Sequence, residues 1–231
     1  MDQSLKSLDT VYGAAFGAQR QRVLRNTYAL LALSMVPTVL GAWLGVAMEF
    51  SFFGGSPFMG FIAFMAIAFG FFFAIEKYKN SGLGVLFLLG FTFFMGLMLS
   101  RLIGAVLGLG NGAQLIGVAF GGTALVFAGM ASLAGTMKRD VSSLGKWLTV
   151  GAIVLMVAIV ANIFLKMTAL MLTISALSVV LFSAFMLYDL KRIMDGGETN
   201  YVTATLALYL DVYNVFQSLL SLLGIFGGSD D

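Results

Sequence analysis

Hydrophobic positions along this chain come in long unbroken runs. Seven stretches are almost wholly apolar, at 27–48, 58–75, 82–107, 113–136, 147–165, 169–190 and 201–223. Each is close to the roughly 20 residues that an α-helix needs to cross a bilayer core. The continuity predicts helices, because a membrane β-strand would alternate apolar and polar positions with period two. Polar residues gather between the runs, in "EKYKNSG" (76–82), "KRDVSSLGK" (138–146) and "DGGETN" (195–200). "MEFSFFGGSP" (48–57) breaks the chain after the first run and ends on Pro57, a residue suited to opening a helix. The expected organisation is a polar tail over 1–26, a seven-helix transmembrane domain over 27–223 and a short tail over 224–231. The connections leave no room for a separate soluble domain. No apolar run precedes residue 27, so the first span is expected to act as the membrane signal.

Composition narrows the chemistry. The chain is 60% hydrophobic and 10% charged, far below the roughly 25% charge needed to coat a soluble globule. It has no histidine and no cysteine, which excludes His/Cys zinc and haem sites, a cysteine nucleophile and a Ser-His-Asp triad. No cofactor is expected, and a net charge of +2 is too small to suggest nucleic acid. Charge also sets topology. With the N-terminus inside, eleven basic residues face inward: Lys6, Arg20, Arg22, Arg25, Lys77, Lys79, Lys138, Arg139, Lys146, Lys191 and Arg192. Only Arg101 and Lys166 face outward, near the interface, where Arg101 is expected to snorkel. The asymmetry alternates loop by loop, as seven spans require, and puts the C-terminus outside. The pairs Gly41/Gly45 and Gly117/Gly121 have the spacing that lets helices approach closely, read here as packing inside the bundle.

One acid stands apart from the tails and turns. Asp211 has about ten residues of apolar helix on either side, ~15 Å of rise, where a carboxylate costs ~2.5–3.5 kcal/mol to insert. Helices six and seven are antiparallel, and Asp189 and Asp211 are centred on Asn200, so the two carboxyls are expected at similar depth. Helical phase agrees: Ser175, Ser178, Phe182, Phe185 and Asp189 form one stripe, and Ala204, Ala207, Asp211, Asn214, Ser218 and Ser221 another. Two carboxyls in low dielectric do not easily both ionise, so a shared proton would bridge the helices and the pair would titrate in coupled steps. The pair could sense protons and pass a weakly held cation such as calcium, with Asn214, Ser218 and Ser178 supporting the seam. A tight calcium cage needs six to eight oxygens, so no secure metal site is expected. The bland alternative puts Asp189 at the inner interface, neutralised by Lys191 or Arg192. Asn162 and Asn214 are candidates for hydrogen bonds between helices. An enzyme is not expected: intramembrane aspartyl proteases carry a "GxGD" pattern, whereas here Asp189 follows "MLY" and Asp211 follows "LYL".

Four segments carry a resemblance: "KSLDTVYGAAFGAQRQRVLRNTY", "GGTALVF" (121–127), "VANIFL" (160–165) and "GGETNYVTATLALYLDVYNVFQSLLSLLG" (196–224). Together they resemble the Bax inhibitor-1/YccA family over residues 20–224, and its bacterial YccA branch in particular. The resemblance implies an all-α seven-helix bundle in which helix seven is central and the other six surround it. It also implies residence in the bacterial inner membrane. For function it implies a modulator and slow substrate of the AAA+ membrane protease FtsH, working with HflK–HflC. Other branches are pH-sensitive calcium leaks gated by an aspartate pair, whose positions Asp189 and Asp211 match. The leak branch's additional arginine has no counterpart, since 58–75 contains no basic residue. The tail over 1–26 would offer an unfoldase a place to start pulling.

Overall fold

A computed structural model describes residues 2–50 and 57–227, with residues 2–16 as backbone only. It contains seven helices: α1 (Asp2–Ala47), α2 (Pro57–Tyr78), α3 (Gly82–Leu107), α4 (Gly112–Thr136), α5 (Ser142–Leu165), α6 (Thr168–Met194) and α7 (Tyr201–Gly227). All seven contain a stretch long and apolar enough to cross a membrane, that of α1 starting at Gly17. No strand occurs among the described residues.

The helices overrun the apolar runs at their polar ends, because helical backbone bonding continues where hydrophobicity stops. α1 begins at Asp2, so residues 2–26 of the expected tail belong to the first helix. α7 continues through Gly227, taking in residues 224–227 of the expected C-terminal tail; residues 228–231, like Met1 and 51–56 of the first loop, lie outside the described residues. α6 ends at Met194 rather than at 190, prolonged by a Lys191–Asp195 ion pair at 2.8 Å. At the start of α5 the backbone N–H and hydroxyl of Ser142 both donate to Asp140, at 2.8 and 2.9 Å, which holds that carboxyl below its ordinary range.

α7 is the central helix. It packs against α1, α2, α3, α4 and α6, while α5 lies chiefly on α6. Leu208, Tyr209, Val215 and Leu220 of α7 are fully buried, whereas Trp43, Phe69, Phe73, Leu125 and Val180 are exposed on the outer faces of other helices. An apolar exterior around a core holding serines, threonines and an aspartate suits lipid as the surrounding solvent. α2 meets α3 through phenylalanines, with Phe64, Phe71 and Phe72 against Phe91 and Phe94 at centroid separations of 5.3–6.1 Å.

The tightest contact joins α1 to α3. A Cβ added to Gly41 would strike the carbonyl of Phe93, one on Gly45 would strike the Ser100 side chain, and one on Gly96 would strike the carbonyl of Thr38. Gly41 and Gly45 therefore pack inside the bundle, as their spacing suggests. Gly117 and Gly121 do not: both are exposed on α4, with nothing within 4 Å of an added Cβ. The same sequence spacing has opposite fates because it records which face of a helix is small, not which way that face points.

Candidate functional site

The α6–α7 hairpin is built from its turn. Asn200 caps α7 by accepting the N–H groups of Val202 and Thr203 at 2.9 and 3.3 Å. Its amide donates across the bundle to the Lys79 carbonyl (3.2 Å) and to Asn80 Oδ1 (2.8 Å) in the α2–α3 connection. Gly196 takes φ +82°, and an added Cβ there would lie 2.6 Å from Arg20 Nε, so the turn carries α1 on its back. Glu198 accepts the N–H groups of Thr199 and Asn200, each at 2.9 Å, and faces Arg192 at 3.6 Å. The "GGETN" turn is thus a junction of α1, the α2–α3 connection, α6 and α7.

From this junction the two acids rise on facing sides of their helices. The carboxyls of Asp189 and Asp211 are hydrogen-bonding neighbours, as their equal distance from Asn200 suggests. Asp211 is 4% exposed and Asp189 half-buried. Among the described residues no donor reaches Oδ2 of Asp211, which is fully enclosed. A carboxyl faced by another carboxyl has a donor only when one of the two carries a proton. Lys191 and Arg192 are ion-paired with Asp195 and Glu198, so neither forms a salt bridge with Asp189; the Arg192 and Glu198 charges remain within its electrostatic reach. α6 runs five residues beyond Asp189, to Met194.

The three supporting residues lie elsewhere. Ser178, Asn214 and Ser218, with Ser175, Gln217 and Ser221, line a cavity of about 400 Å³ between α5, α6 and α7, on the side of Asp211 away from the turn. Ser175 donates to Ser221 at 3.4 Å, tying the hairpin at its open end. Ser178 and Ser218 are more than nine-tenths buried and make no hydrogen bond among the described residues, unlike Ser34 and Ser183, which bond back to carbonyls of their own helices. Hydroxyls left free in this way require water or a polar guest. The expected interhelical amides do not form. Asn214 donates to the Leu210 carbonyl of its own helix at 2.8 Å, and Asn162 accepts the Met167 N–H at 3.0 Å, where the α5–α6 connection is too short to leave that N–H otherwise satisfied.

Two residues that the hydrophobic pattern did not single out hold α7 in place. Tyr209 shares a 2.9 Å hydrogen bond with Thr38 and reaches the Thr92 carbonyl at 3.4 Å, and Tyr213 donates to the Met95 carbonyl at 3.2 Å. They project from the face of α7 opposite the acid, toward α1 and α3. Their signal was available, since a tyrosine inside an apolar run needs a partner for its hydroxyl.

A multi-pass helical membrane protein whose central helix presents a buried carboxyl to a second carboxyl is the class these features define. A model of the family "Inhibitor of apoptosis-promoting Bax1" matches residues 20–228, and the chain belongs to that Bax inhibitor-1 family. It is 39% identical over 218 residues to an uncharacterised protein of Neisseria meningitidis, covering 94% of this chain and 96% of that one. It is 38% identical over 203 residues to the "Modulator of FtsH protease YccA" of Escherichia coli K12, covering 88% of this chain and 90% of that one. The "Inner membrane protein YccA" of Escherichia coli O6:H1 stands at the same identity and coverage.

Proposed function

We propose that this chain is an inner-membrane modulator of an FtsH-type AAA+ protease, acting as a substrate that is engaged and only slowly extracted. The observation that carries the reading is the 38% identity to the Escherichia coli modulator across nearly the whole bundle. The packing supplies a physical reason for slow extraction. Pulling α1 out means separating backbones in direct contact at Gly41 and Gly96 and breaking the Thr38–Tyr209 bond to the central helix. HflK–HflC would join as partners of the protease rather than through a site on this chain.

Removing residues 1–16 tests the proposal while leaving Arg20 on Gly196. The shortened protein is expected to fold and to show a longer half-life in cells, with FtsH and HflK–HflC still recovered on the tagged full chain in mild detergent. Unchanged turnover together with no FtsH in the pull-down would overturn the reading.

The carboxyl pair and the adjacent polar cavity favour a second function in the same scaffold, a proton-gated cation leak. Asp211 stands three residues before Asn214 of the cavity lining, and loss of a proton shared with Asp189 would leave two charges repelling across α6 and α7. Calcium flux into proteoliposomes is expected to depend on pH, and Asp211→Asn is expected to flatten that dependence. Flux no greater than in protein-free liposomes at every pH rejects the leak.

A further inference from the structure

At the end of the bundle opposite the "GGETN" turn, the last residues of α1 and the final third of α3 enclose a groove of about 310 Å³. Its lining includes Gly45, Val46, Glu49, Ser100, Arg101 and Gly104. That volume falls at the lower end of small-molecule sites, which span roughly 300–1,000 Å³. Two charges of opposite sign line this one groove, and no ion pair joins them. Neither the Glu49 nor the Arg101 side chain has a hydrogen-bond or ion-pair partner among the described residues, and both residues are exposed.

The groove lies at the edge of the hydrocarbon. α1 stops at Ala47, and Trp43, 65% exposed, stands one turn before that end, as an interfacial tryptophan does. The other tryptophan, Trp147, is 75% exposed near the start of α5, at the opposite end of the bundle. Met48 and Leu107 beside the groove are also exposed and apolar. A ligand here meets lipid chains at the sides and two unpaired charges at headgroup level.

We infer that this groove binds the headgroup of a zwitterionic aminophospholipid, of the phosphatidylethanolamine class. The Arg101 guanidinium is a planar fork suited to phosphate, and the Glu49 carboxylate accepts from a primary ammonium. A choline headgroup satisfies only half of this pattern, because its quaternary nitrogen has no hydrogen to donate. A net-anionic glycerol headgroup brings phosphate to Arg101 but leaves Glu49 without a cation. Gly45 and Gly104 contribute backbone alone to the groove lining. This site shares no residue with the carboxyl pair and does not depend on its role.

Native mass spectrometry of the full chain, released from detergent containing equal amounts of phosphatidylethanolamine, phosphatidylglycerol and phosphatidylcholine, tests the assignment. One phosphatidylethanolamine is expected to be retained in preference to the other two. Arg101→Gln should lower its retention about tenfold, the loss of one charge-assisted bond. Glu49→Gln should abolish the preference over phosphatidylglycerol and phosphatidylcholine. Circular dichroism and melting temperature confirm that both variants are folded. Equal retention of the three lipids by the unmodified chain overturns the inference. So does a retention order unmoved by either variant, which would mean that neither side chain reads the headgroup.

Discussion

Asn200 shows how much one side chain can organise when its two ends do different work. Its oxygen caps α7, and its nitrogen ties the cap to the α2–α3 connection. Asn200→Ala removes both functions and is expected to cost about 0.5–2 kcal/mol from the cap alone. Asn200→Asp keeps the accepting oxygen at a helix N-terminus, where negative charge is favoured, and loses only the donor to residues 79 and 80. Melting temperatures in detergent should therefore fall in the order wild type, Asp, Ala; an Asp variant as unstable as the Ala variant would assign the stability to the bridge rather than to the cap. At this scale the sequence was most legible for Asp211, because an acid ten residues inside an apolar run is expensive wherever it lies. It was least legible for Asn214 and Asn162, whose amides had several nearby carbonyls and N–H groups to choose from.

Among the elements, α1 and α3 set the standard of close packing, and glycine is what permits it. Alanine normally improves a helix over glycine by about 0.5–1 kcal/mol. Gly41→Ala and Gly96→Ala are expected to do the reverse, because the new methyl meets a backbone carbonyl that cannot rotate away, at a cost of about 1–3 kcal/mol. Gly117→Ala and Gly121→Ala, with open space around them, should be neutral or stabilising. Thermal unfolding of the four variants in one detergent checks the contrast; equal effects in all four would mean that helix propensity, not packing, dominates. Helix boundaries were legible to within a few residues where charge met hydrophobic run. They were four or more residues off at the starts of α1 and α5 and at the ends of α6 and α7, because the helical backbone continues as long as its polar side chains find partners or solvent.

For the molecule as a whole, the described basic residues other than Arg101 and Lys166 lie at one end, and the acids of the hairpin are nearest that end. The positive-inside rule then predicts its orientation. Because the chain lacks cysteine, Ser81→Cys and Asn111→Cys each introduce a unique thiol at opposite ends. A membrane-impermeant maleimide applied to intact spheroplasts is expected to label the Asn111 variant and not the Ser81 variant; the opposite pattern inverts the topology. What the sequence determined by itself was the number of spans, the helical class and the existence of an acid that needs a partner, because each follows from the cost of placing polar groups in hydrocarbon, and that cost depends on composition and local periodicity alone. Only the tertiary structure decided that Lys191 and Arg192 are paired elsewhere, that Ser178 and Ser218 turn into a cavity instead of back onto their helices, and that one glycine pair is buried while another faces outward. Those outcomes depend on which faces of seven similar helices meet, and neighbours distant in sequence settle that together.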